Sequence, residues 1–308
     1  MNLVKREGFI SLKRELFDKY YGHLNQMQRS AVYSVNGPLL VLAGAGSGKT
    51  TVLVNRIFNI IRYGNAYNSE AIPKEADALY ERMTELADRG TREEIGEFLT
   101  CFAETPAKPY KILCITFTNK AASEFKERLN SLLGESAGDI WAGTFHSVCV
   151  RILRRHIGHL GYDSSFTIYD SEDTKKLITY ILKRMNIDEN LLAVRTVINT
   201  ISRAKEKGQT PDDFKADSEK DTRMQKLSAV YSEYQSSLRR ANALDFDDII
   251  MLANTLFTKN PDVLAKYREQ FDYILVDEYQ DTNPSQSRLI SLLAGEKKNV
   301  CVVGDDDQ

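Results

Sequence analysis

The 308-residue sequence predicts an α/β protein in which a parallel sheet, flanked by helices, is interrupted by an inserted, mostly helical subdomain. Apolar runs at 38–42, 111–116, 273–276 and 299–303 suit buried strands. Glycine or acidic residues follow several of these runs. In parallel sheets, ligand sites lie at the carboxyl ends of the strands, where such residues are common. Residues 170–258 instead show the apolar period of helices, which indicates the insertion.

The first strand leads into a glycine-rich stretch. Residues 38–42 precede Ala43, and residues 51–58 have the apolar spacing of a helix. Glycines let successive backbone N–H groups point at phosphate oxygens, and a helix adds its positive end. Lys49 is expected to reach the β- and γ-phosphates, and the Thr50 hydroxyl to ligate Mg²⁺. The alternative is an ordinary glycine-rich turn. The predicted phosphate loop is Ala43, Gly44, Ala45, Gly46, Ser47, Gly48, Lys49 and Thr50.

The elements around this loop have local signals of their own. Asn25 is placed to cap a helix through Val32. Residues 65–108 are expected to form a helical hairpin, because Gly90 ends one helix and Thr91–Glu94 reads as a capping box for the next. The core then continues with strands at 111–116, 140–143 and 166–169 and helices at about 120–133 and through His156.

The inserted block reads as a series of helices. Asp170 or Ser171 caps a helix to about residue 185, and a second covers roughly 191–206. Pro211 opens a third, since proline is tolerated in the first helical turn. Long charged helices are expected to reach Arg240 and then to cover 247–257.

A second acidic element follows the strand at 273–276. Asp277 stands at the carboxyl end of this strand, where it can hold Mg²⁺, and Glu278 can orient and deprotonate an attacking water. Alone, the Asp-Glu pair is better explained as a solvated turn. Together with the phosphate loop, it predicts in-line attack on a γ-phosphate.

Composition sets the class of protein but not its partners. The hydrophobic fraction of 42% and the charged fraction of 27% are typical of a soluble globular protein. A net charge of −2 gives no global sign of nucleic-acid binding, so such a partner requires local basic residues. Four scattered cysteines without a C-x-x-C motif fit a reducing cytosol. With no span-length apolar run and no signal peptide, no membrane partner and a cytoplasmic location are expected.

Several motifs occur in the order found in superfamily 1 helicases, and the chain resembles the UvrD/Rep/PcrA type. The resemblance implies a RecA-like P-loop NTPase fold and covers the chain except residues 1–23 and 65–108. The motifs are Leu24-Asn25-x-x-Gln28, Ala43–Thr50, Thr116–Ala122, Thr144–Ser147, Leu244–Asp248, Asp277–Asn283 and Gly304-Asp305-x-Asp307-Gln308.

The resemblance assigns further residues to the ATP site. It implies that Gln28 reads the adenine edge, which an amide can do with its donor and acceptor together. It also implies that Gln280 and Gln308 contact the γ-phosphate or its water. Thr51 stands where the family often has an arginine near the adenine, so the base contacts are expected to differ. The implied cofactors are ATP and Mg²⁺.

The resemblance also implies contacts to single-stranded DNA and to junctions with duplex DNA. The residues concerned are Thr116, Phe117, Asn119, Thr144, Phe145 and His146, in which the two phenylalanines offer faces for base stacking. Arg151, Arg154 and Arg155 are better explained as a solvated basic face than as a phosphate track. A zinc pair at His156 and His159 and a two-metal nuclease at the acidic clusters are weaker alternatives.

The implied organisation places residues 1–155 and 245–308 in motor domain 1A and residues 156–244 in a helical subdomain 1B. The hairpin at 65–108 is expected to decorate the surface. Because the last strand has no following helix, we expect a fragment of a longer, monomeric helicase whose second motor domain supplies arginine fingers. Movement from 3′ to 5′ in repair or replication is implied by the resemblance alone. The alternatives are a translocase subunit of a helicase–nuclease complex and a non-catalytic module with a vestigial ATP site.

Overall fold

The computed structural model describes residues 3–44, 46–188, 190–217 and 221–305. Its strands are β1 Leu39–Leu42, β2 Ile112–Thr116, β3 Trp141–Thr144, β4 Thr167–Ile168, β5 Ala243–Leu244, β6 Tyr273–Val276 and β7 Val300–Gly304. Its helices are α1 Leu3–Tyr20, α2 Gln26–Tyr33, α3 Lys49–Arg62, α4 Ala76–Arg89, α5 Arg92–Phe98, α6 Asn119–Leu133, α7 Phe145–His156, α8 Ser171–Arg184, α9 Val194–Glu206, α10 Pro211–Asp217, α11 Thr222–Arg240, α12 Phe246–Lys259, α13 Pro261–Gln270 and α14 Pro284–Ala294.

Five strands form one sheet in the order β1-β7-β6-β2-β3. The pairs β1–β7, β7–β6 and β6–β2 are parallel, with Leu275 in register with both Cys114 and Cys301. Parallel strands place their carboxyl ends at one edge of a sheet, so the residues after β1, β6 and β7 are brought together there. The predicted α/β class with a parallel sheet is confirmed.

Strand β1 differs from the expectation of a fully buried strand. Leu40 is 58% exposed and Leu42 is 57% exposed, whereas Leu39 and Val41 pack against the core below the sheet. β1 lies at the edge of the sheet, and alternate side chains of a strand point to opposite faces. Only one of the two faces of β1 therefore packs on the core.

The chain divides into two compact units. Unit 1 contains residues 1–142, 270–280 and 296–308, and unit 2 contains residues 143–269 and 281–295. The boundaries predicted at 155/156 and 244/245 were taken from the subdomains of the helicase family. The division into two units reflects compactness instead, so the predicted boundaries stay predictions.

Unit 1 contains the sheet and a second, aromatic core. Helix α1 lies in residues 1–23, which the resemblance does not cover. It packs with the predicted hairpin of α4 and α5 around Phe9, Phe17 and Tyr63. The Lys19 ammonium donates to the Leu86 and Ala87 carbonyls at the end of α4, at 3.2 and 3.0 Å. The hairpin is therefore a packed extension of unit 1 rather than a loose appendage.

Unit 2 is built from α7 to α12, α13 and α14, with the short parallel pair β4–β5. The predicted helices of the block are confirmed, whereas β5, α13 and α14 had not been predicted. Leu182, Val197, Tyr231 and Leu238 belong to its buried core. None of the helices in the described ranges has the length and apolar character needed to cross a membrane.

Candidate functional site

The phosphate loop joins β1 to α3, and its glycines give it a backbone conformation that other residues rarely adopt. Gly46 and Gly48 have φ values of +75° and +86°, in the left-handed region that only glycine adopts freely, and Gly48 is the N-cap of α3. The Ala43 N–H donates to the Gly304 carbonyl at 3.0 Å, which ties the loop to the end of β7. Ala45, also predicted to bind phosphate, lies outside the described residues.

Lys49 occupies the first turn of α3 and faces two carboxylates. Its Nζ lies 3.3 Å from Glu278 Oε2 and 3.4 Å from Asp305 Oδ2, and its side chain is 10% exposed. Burial alone would lower the pKa of Lys49, but the hydrogen bonds and charges of Glu278 and Asp305 outweigh it and raise the pKa. The ammonium is thus held charged at the edge of the sheet.

Asp277 and Glu278 follow β6 as predicted. Asp277 is buried, and burial followed by the charge of Glu278 raises its pKa, although Lys49 opposes the shift. The Glu278 N–H donates to Asp277 Oδ1 at 3.0 Å. Glu278 has a φ of +49°, which is uncommon for a non-glycine residue and is a form of backbone strain found at functional sites. The two adjacent carboxylates therefore have different partners: Asp277 accepts the Glu278 N–H, whereas Glu278 faces Lys49.

Gln280 joins the carboxylate of Glu278 to the backbone of Asp305. Its Nε2 donates to Glu278 Oε2 at 2.7 Å, and its Oε1 accepts the Asp305 N–H at 3.0 Å. Asp305 is 4% exposed; the sequence placed it in a helicase motif and in the acidic clusters of the nuclease alternative, but not among the residues of the ATP site. Its position directly after an apolar strand was the signal that could have identified it. Gln308, predicted to be catalytic, lies outside the described residues.

Gln28 contacts the phosphate loop from α2. Its Oε1 accepts the Asn25 N–H at 3.0 Å, which completes the capping box of α2, and its Nε2 donates to the Ser47 carbonyl at 3.0 Å. The structure brings Gln28, Ser47 and Lys49 into one connected group. Whether Gln28 reads adenine stays a prediction.

Arg56, which sequence reasoning missed, fixes α2 against α3. Its guanidinium is buried and donates to the carbonyls of Ala31 at 2.7 Å, Val35 at 3.0 Å and also Ser34. These carbonyls lie at the C-terminal end of α2, where a cation is favourable. Burial lowers the pKa of Arg56. Arg56 therefore sets the position of the helix that carries Gln28.

The donor set fits a magnesium-bound nucleotide. The pKa of Asp277 is raised first by burial and then by the charge of Glu278, and a bound cation would favour its ionised form. A methyl group at Gly44 or Gly46 would meet no atom within 4 Å, so this side of the loop backbone is accessible to a phosphate. Among the described residues, no group of three or more His, Cys, Asp or Glu side chains is arranged to hold a metal ion.

The predicted DNA contacts in unit 1 lie at the end of β2. Thr116 is 2% exposed, and its hydroxyl donates to the Thr118 carbonyl at 3.3 Å. Thr118 in turn caps α6, whose first residue, Asn119, is exposed. Phe117 is half-buried. Thr116 thus shapes the turn, whereas Phe117 and Asn119 are accessible.

The predicted DNA contacts in unit 2 lie at the start of α7. Thr144 caps the helix by accepting the Ser147 N–H at 3.3 Å. Phe145 is 2% exposed, so the expectation that it offers a face for stacking is not met, because the first turn of α7 directs it into the core. His146 is half-buried, and its ring centroid lies 5.3 Å from that of Phe246, which is 53% exposed and was not predicted.

Comparison with known proteins identifies relatives across most of the chain. The family model of the UvrD/REP helicase N-terminal domain matches residues 24–73 and 95–308. The chain is 44% identical over 286 residues, 93% of its length, to the ATP-dependent DNA helicase PcrA of Staphylococcus aureus (strain Mu50 / ATCC 700699), of which this covers 33%. The PcrA helicase of Staphylococcus epidermidis (strain ATCC 12228 / FDA PCI 1200) is 43% identical, with 34% of its length covered.

The chain therefore spans about a third of the length of these relatives. The family match omits residues 1–23 and 74–94, which contain α1 and α4. These two helices pack against each other in unit 1. The part of the chain that departs from the family is thus one packed structure and not two separate extensions.

Proposed function

The chain belongs to the UvrD/REP helicase family, whose N-terminal domain it contains, and we propose that it is the ATP-binding part of an ATP-dependent DNA helicase. The observation that carries this proposal is the contact of Lys49 with Glu278 and Asp305 directly beside a phosphate loop. Just after β6, Gln280 connects the Glu278 carboxylate to the backbone N–H of Asp305. These groups are suited to ATP hydrolysis rather than to nucleotide binding alone.

Each residue of the site has a distinct chemical task in this proposal. Lys49 and the loop N–H groups bind the phosphates and stabilise the charge that develops on them. Thr50 and Asp277 hold Mg²⁺, which neutralises phosphate charge when bound. Glu278 accepts the proton of the attacking water. Gln280 fixes the carboxylate of Glu278 and joins it to β7, so that a shift at one strand end reaches the other.

Recognition of the base is assigned to Gln28 and Thr51. Both lie near the loop, because Gln28 contacts Ser47 and Thr51 follows the metal-binding Thr50 in α3. An amide pairs with the donor and acceptor of adenine at once, which makes ATP the expected nucleotide. Each of the two present hydrogen bonds of Gln28 uses one of the two positions of its atom, so Oε1 and Nε2 each retain a position for the base.

Single-stranded DNA is the proposed polymer substrate. Phe117 and Asn119 of unit 1 are accessible for stacking and for phosphate or sugar contacts. In unit 2, Phe246 takes the stacking role that the sequence had given to Phe145, since it is exposed beside His146. Thr116 and Thr144 act by shaping the turns that present these side chains.

We further propose that a second motor domain closes the ATP site and supplies arginines to it. Support comes from the relatives, which are about three times as long as the matched region. In this arrangement residues 1–308 bind nucleotide but hydrolyse it slowly. The whole protein acts as a monomer on single-stranded DNA and its junctions with duplex.

Nucleotide binding by residues 1–308 tests the site directly. A fluorescent ATP analogue with Mg²⁺ should bind the wild type, and Lys49→Ala should weaken binding about 10- to 100-fold, because a hydrogen bond to a charged group contributes about 1.5–3 kcal/mol. Lys176→Ala, on the exposed surface of α8, is the matched control and should bind normally. Equal affinity of the wild type and Lys49→Ala would contradict the assigned phosphate site.

Turnover in the complete protein tests the chemistry. Glu278→Gln should still bind ATP but lose about 10²- to 10⁴-fold in DNA-stimulated hydrolysis, as expected for loss of a general base. Near-normal hydrolysis by Glu278→Gln would refute its role. Strand displacement with 3′- or 5′-tailed duplexes then separates a helicase from a translocase and reports its direction.

A further inference from the structure

A groove lies on the surface of unit 1 where the aromatic core around α1 meets helices α3, α5 and α6. It has a volume of about 410 Å³, and its lining includes apolar side chains from three of these helices. Tyr20 at the end of α1 and Phe58 of α3 are half-buried, and Leu132 of α6 is 41% exposed. Large apolar side chains that share one exposed concave surface are typical of an interaction site, whereas single exposed ones are ordinary.

The aromatic wall of the groove is held in a defined shape. The rings of Tyr20 and Phe58 are stacked, with centroids 6.3 Å apart and an interplanar angle of 20°. Tyr63 packs edge-on against both rings at 5.9 Å, and its hydroxyl donates to the Gly96 carbonyl at 2.9 Å. A methyl group at Gly96 would lie 2.5 Å from Tyr20 Cε2. Glycine weakens the interior of a helix, so its place in α5 is explained by the room that the Tyr20 ring needs.

The rim of the groove is acidic. Glu93 and Glu97 of α5 both line it and are exposed, one helical turn apart. Like charges at this spacing destabilise a helix, and Glu97 also stands in the last turn of α5, where the helix dipole disfavours an anion. Among the described residues neither carboxylate has an ion-pair partner, whereas Glu85 on α4 pairs with Arg89 at the same spacing, at 2.9 Å. The stability of α5 therefore does not account for this pair of charges.

Two arginines near the groove leave its rim negative. Arg62 lines the groove, so Glu93 and Glu97 outnumber the cation. Arg92 contacts Tyr20 instead: its guanidinium carbon lies 5.1 Å from the ring centroid, and its Nε donates to the Tyr20 carbonyl at 3.1 Å. The groove thus combines an apolar wall, a net negative rim and an aromatic ring that already accepts a cation.

The groove depends on the part of the chain that departs from the family. Tyr20 and Glu93 lie in the two segments that the family match omits, whereas Phe58 and Leu132 lie in matched segments. The groove is therefore formed where the additional helices pack against the common core. A molecule that binds there is expected to be specific to proteins that carry this extension.

We propose that this groove binds a short segment of a partner protein in which an apolar side chain stands next to lysine or arginine. The apolar side chain packs against Phe58 and Leu132, and its basic neighbour pairs with Glu93 and Glu97. Charge complementarity selects this class of partner, since an acidic segment would be repelled by the rim. A volume of about 410 Å³ is near the lower end of ligand sites, which span about 300–1,000 Å³, and it suits one or two side chains rather than a whole domain.

Selection from a random library of short peptides displayed on phage tests the proposal. The library is depleted on the variant Leu132→Ser/Glu97→Gln and then selected on the wild-type chain. Both positions are exposed, so the variant should fold, which circular dichroism checks. Enriched peptides should carry leucine, phenylalanine or tryptophan beside lysine or arginine. In fluorescence anisotropy, the synthetic peptides should bind the variant about 10- to 100-fold more weakly, because an apolar contact and a charge pair are lost together.

Two further variants separate the charges from a general surface effect. Glu93→Gln/Glu97→Gln should bind the same peptides more weakly at low salt and with less dependence on salt than the wild type, since exposed charges are screened. The matched control, Leu191→Ser/Glu127→Gln, changes the same residue types at exposed positions outside the groove and should bind like the wild type.

Several outcomes would overturn the proposal. They are a selection that enriches no peptide, enriched peptides without basic residues, and an equal loss of binding in the matched control. Analytical ultracentrifugation tests another occupant. A dimer of the wild-type chain that Leu132→Ser abolishes would assign the groove to a second copy of the chain and reject the peptide partner.

Discussion

Lys205 should be essential for the stability of unit 2, because it is a fully buried cation with two carboxylate partners. Its Nζ lies 2.6 Å from Asp245 Oδ2 and 2.8 Å from Asp248 Oδ1. Tyr234 and Gln235 donate to the same two carboxylates, at 2.8 and 3.0 Å. Because Asp245 and Asp248 also form the capping box of α12, the cluster joins α9 and α11 to the start of that helix.

Lys205→Met keeps most of the side-chain volume but leaves two buried carboxylates without their cation. Breaking a buried ion pair in this way costs about 3–5 kcal/mol. With a urea m-value of about 2 kcal/mol per M, the urea concentration at the midpoint of unfolding should fall by roughly 2 M. The triple variant Lys205→Met/Asp245→Asn/Asp248→Asn should recover most of this loss, since asparagine already caps α2 and α14 in this chain.

The unfolding free energy that Lys205→Met loses should increase with pH. Burial raises the pKa of Asp248 to about 6, although Lys205 lowers it, so removing Lys205 raises the pKa further. A carboxyl whose pKa is raised by folding takes up a proton as pH falls, and the cost of its buried charge then disappears. The difference in unfolding free energy between wild type and Lys205→Met should therefore be largest at about pH 8 and smaller at about pH 5.

Urea denaturation followed by circular dichroism, with hydrogen exchange in α9 and α12, measures both effects. Exchange should accelerate in these helices of unit 2 while the sheet of unit 1 stays protected. A destabilisation below about 1 kcal/mol, or one that grows as pH falls from about 8 to 5, would show that the buried pair does not act as described.

Two further substitutions address the nucleotide and DNA sites. Gly48→Ala should cost about 1–3 kcal/mol from left-handed strain and should also weaken nucleotide binding, because the new methyl lies 3.1 Å from Gln28 Nε2. Gly37→Ala has similar strain, at a φ of +83° with open space around it, so thermal unfolding should shift while nucleotide affinity does not. Phe246→Ala should weaken single-stranded DNA binding by about 1–3 kcal/mol because the stacking face is removed. Tyr180→Ala, exposed on α8, serves as its control in the same anisotropy assay, and equal losses in the two would reject the stacking role.

Local patterns made the geometry of the proposed nucleotide site predictable. The glycine spacing before Lys49 and the acidic pair after β6 are each properties of a few consecutive residues, and strand order then brings them to one edge. Helix starts at Asn25 and Thr91 were predictable for the same reason, since a capping box is a four-residue signal.

The contacts that hold the site together had no such signal. Arg56 binds backbone carbonyls, which every sequence contains, so nothing in the residues around it marks the contact. Lys205 meets carboxylates that are far away in the chain, at positions 245 and 248. Phe145 and Phe246 both follow polar residues at helix starts, and only tertiary packing decides which of them is buried.

The attachment of α2 to the phosphate loop has a consequence for nucleotide selection. Gln28 holds one end of α2 to Ser47, and Arg56 of α3 holds the other. Because α2 is held at both ends, it cannot rotate or shift relative to the loop. A base bound at Gln28 would therefore lie at a set distance from Lys49. The two attachments would then make the site sensitive to the distance between the base and the phosphates, as well as to the identity of the base.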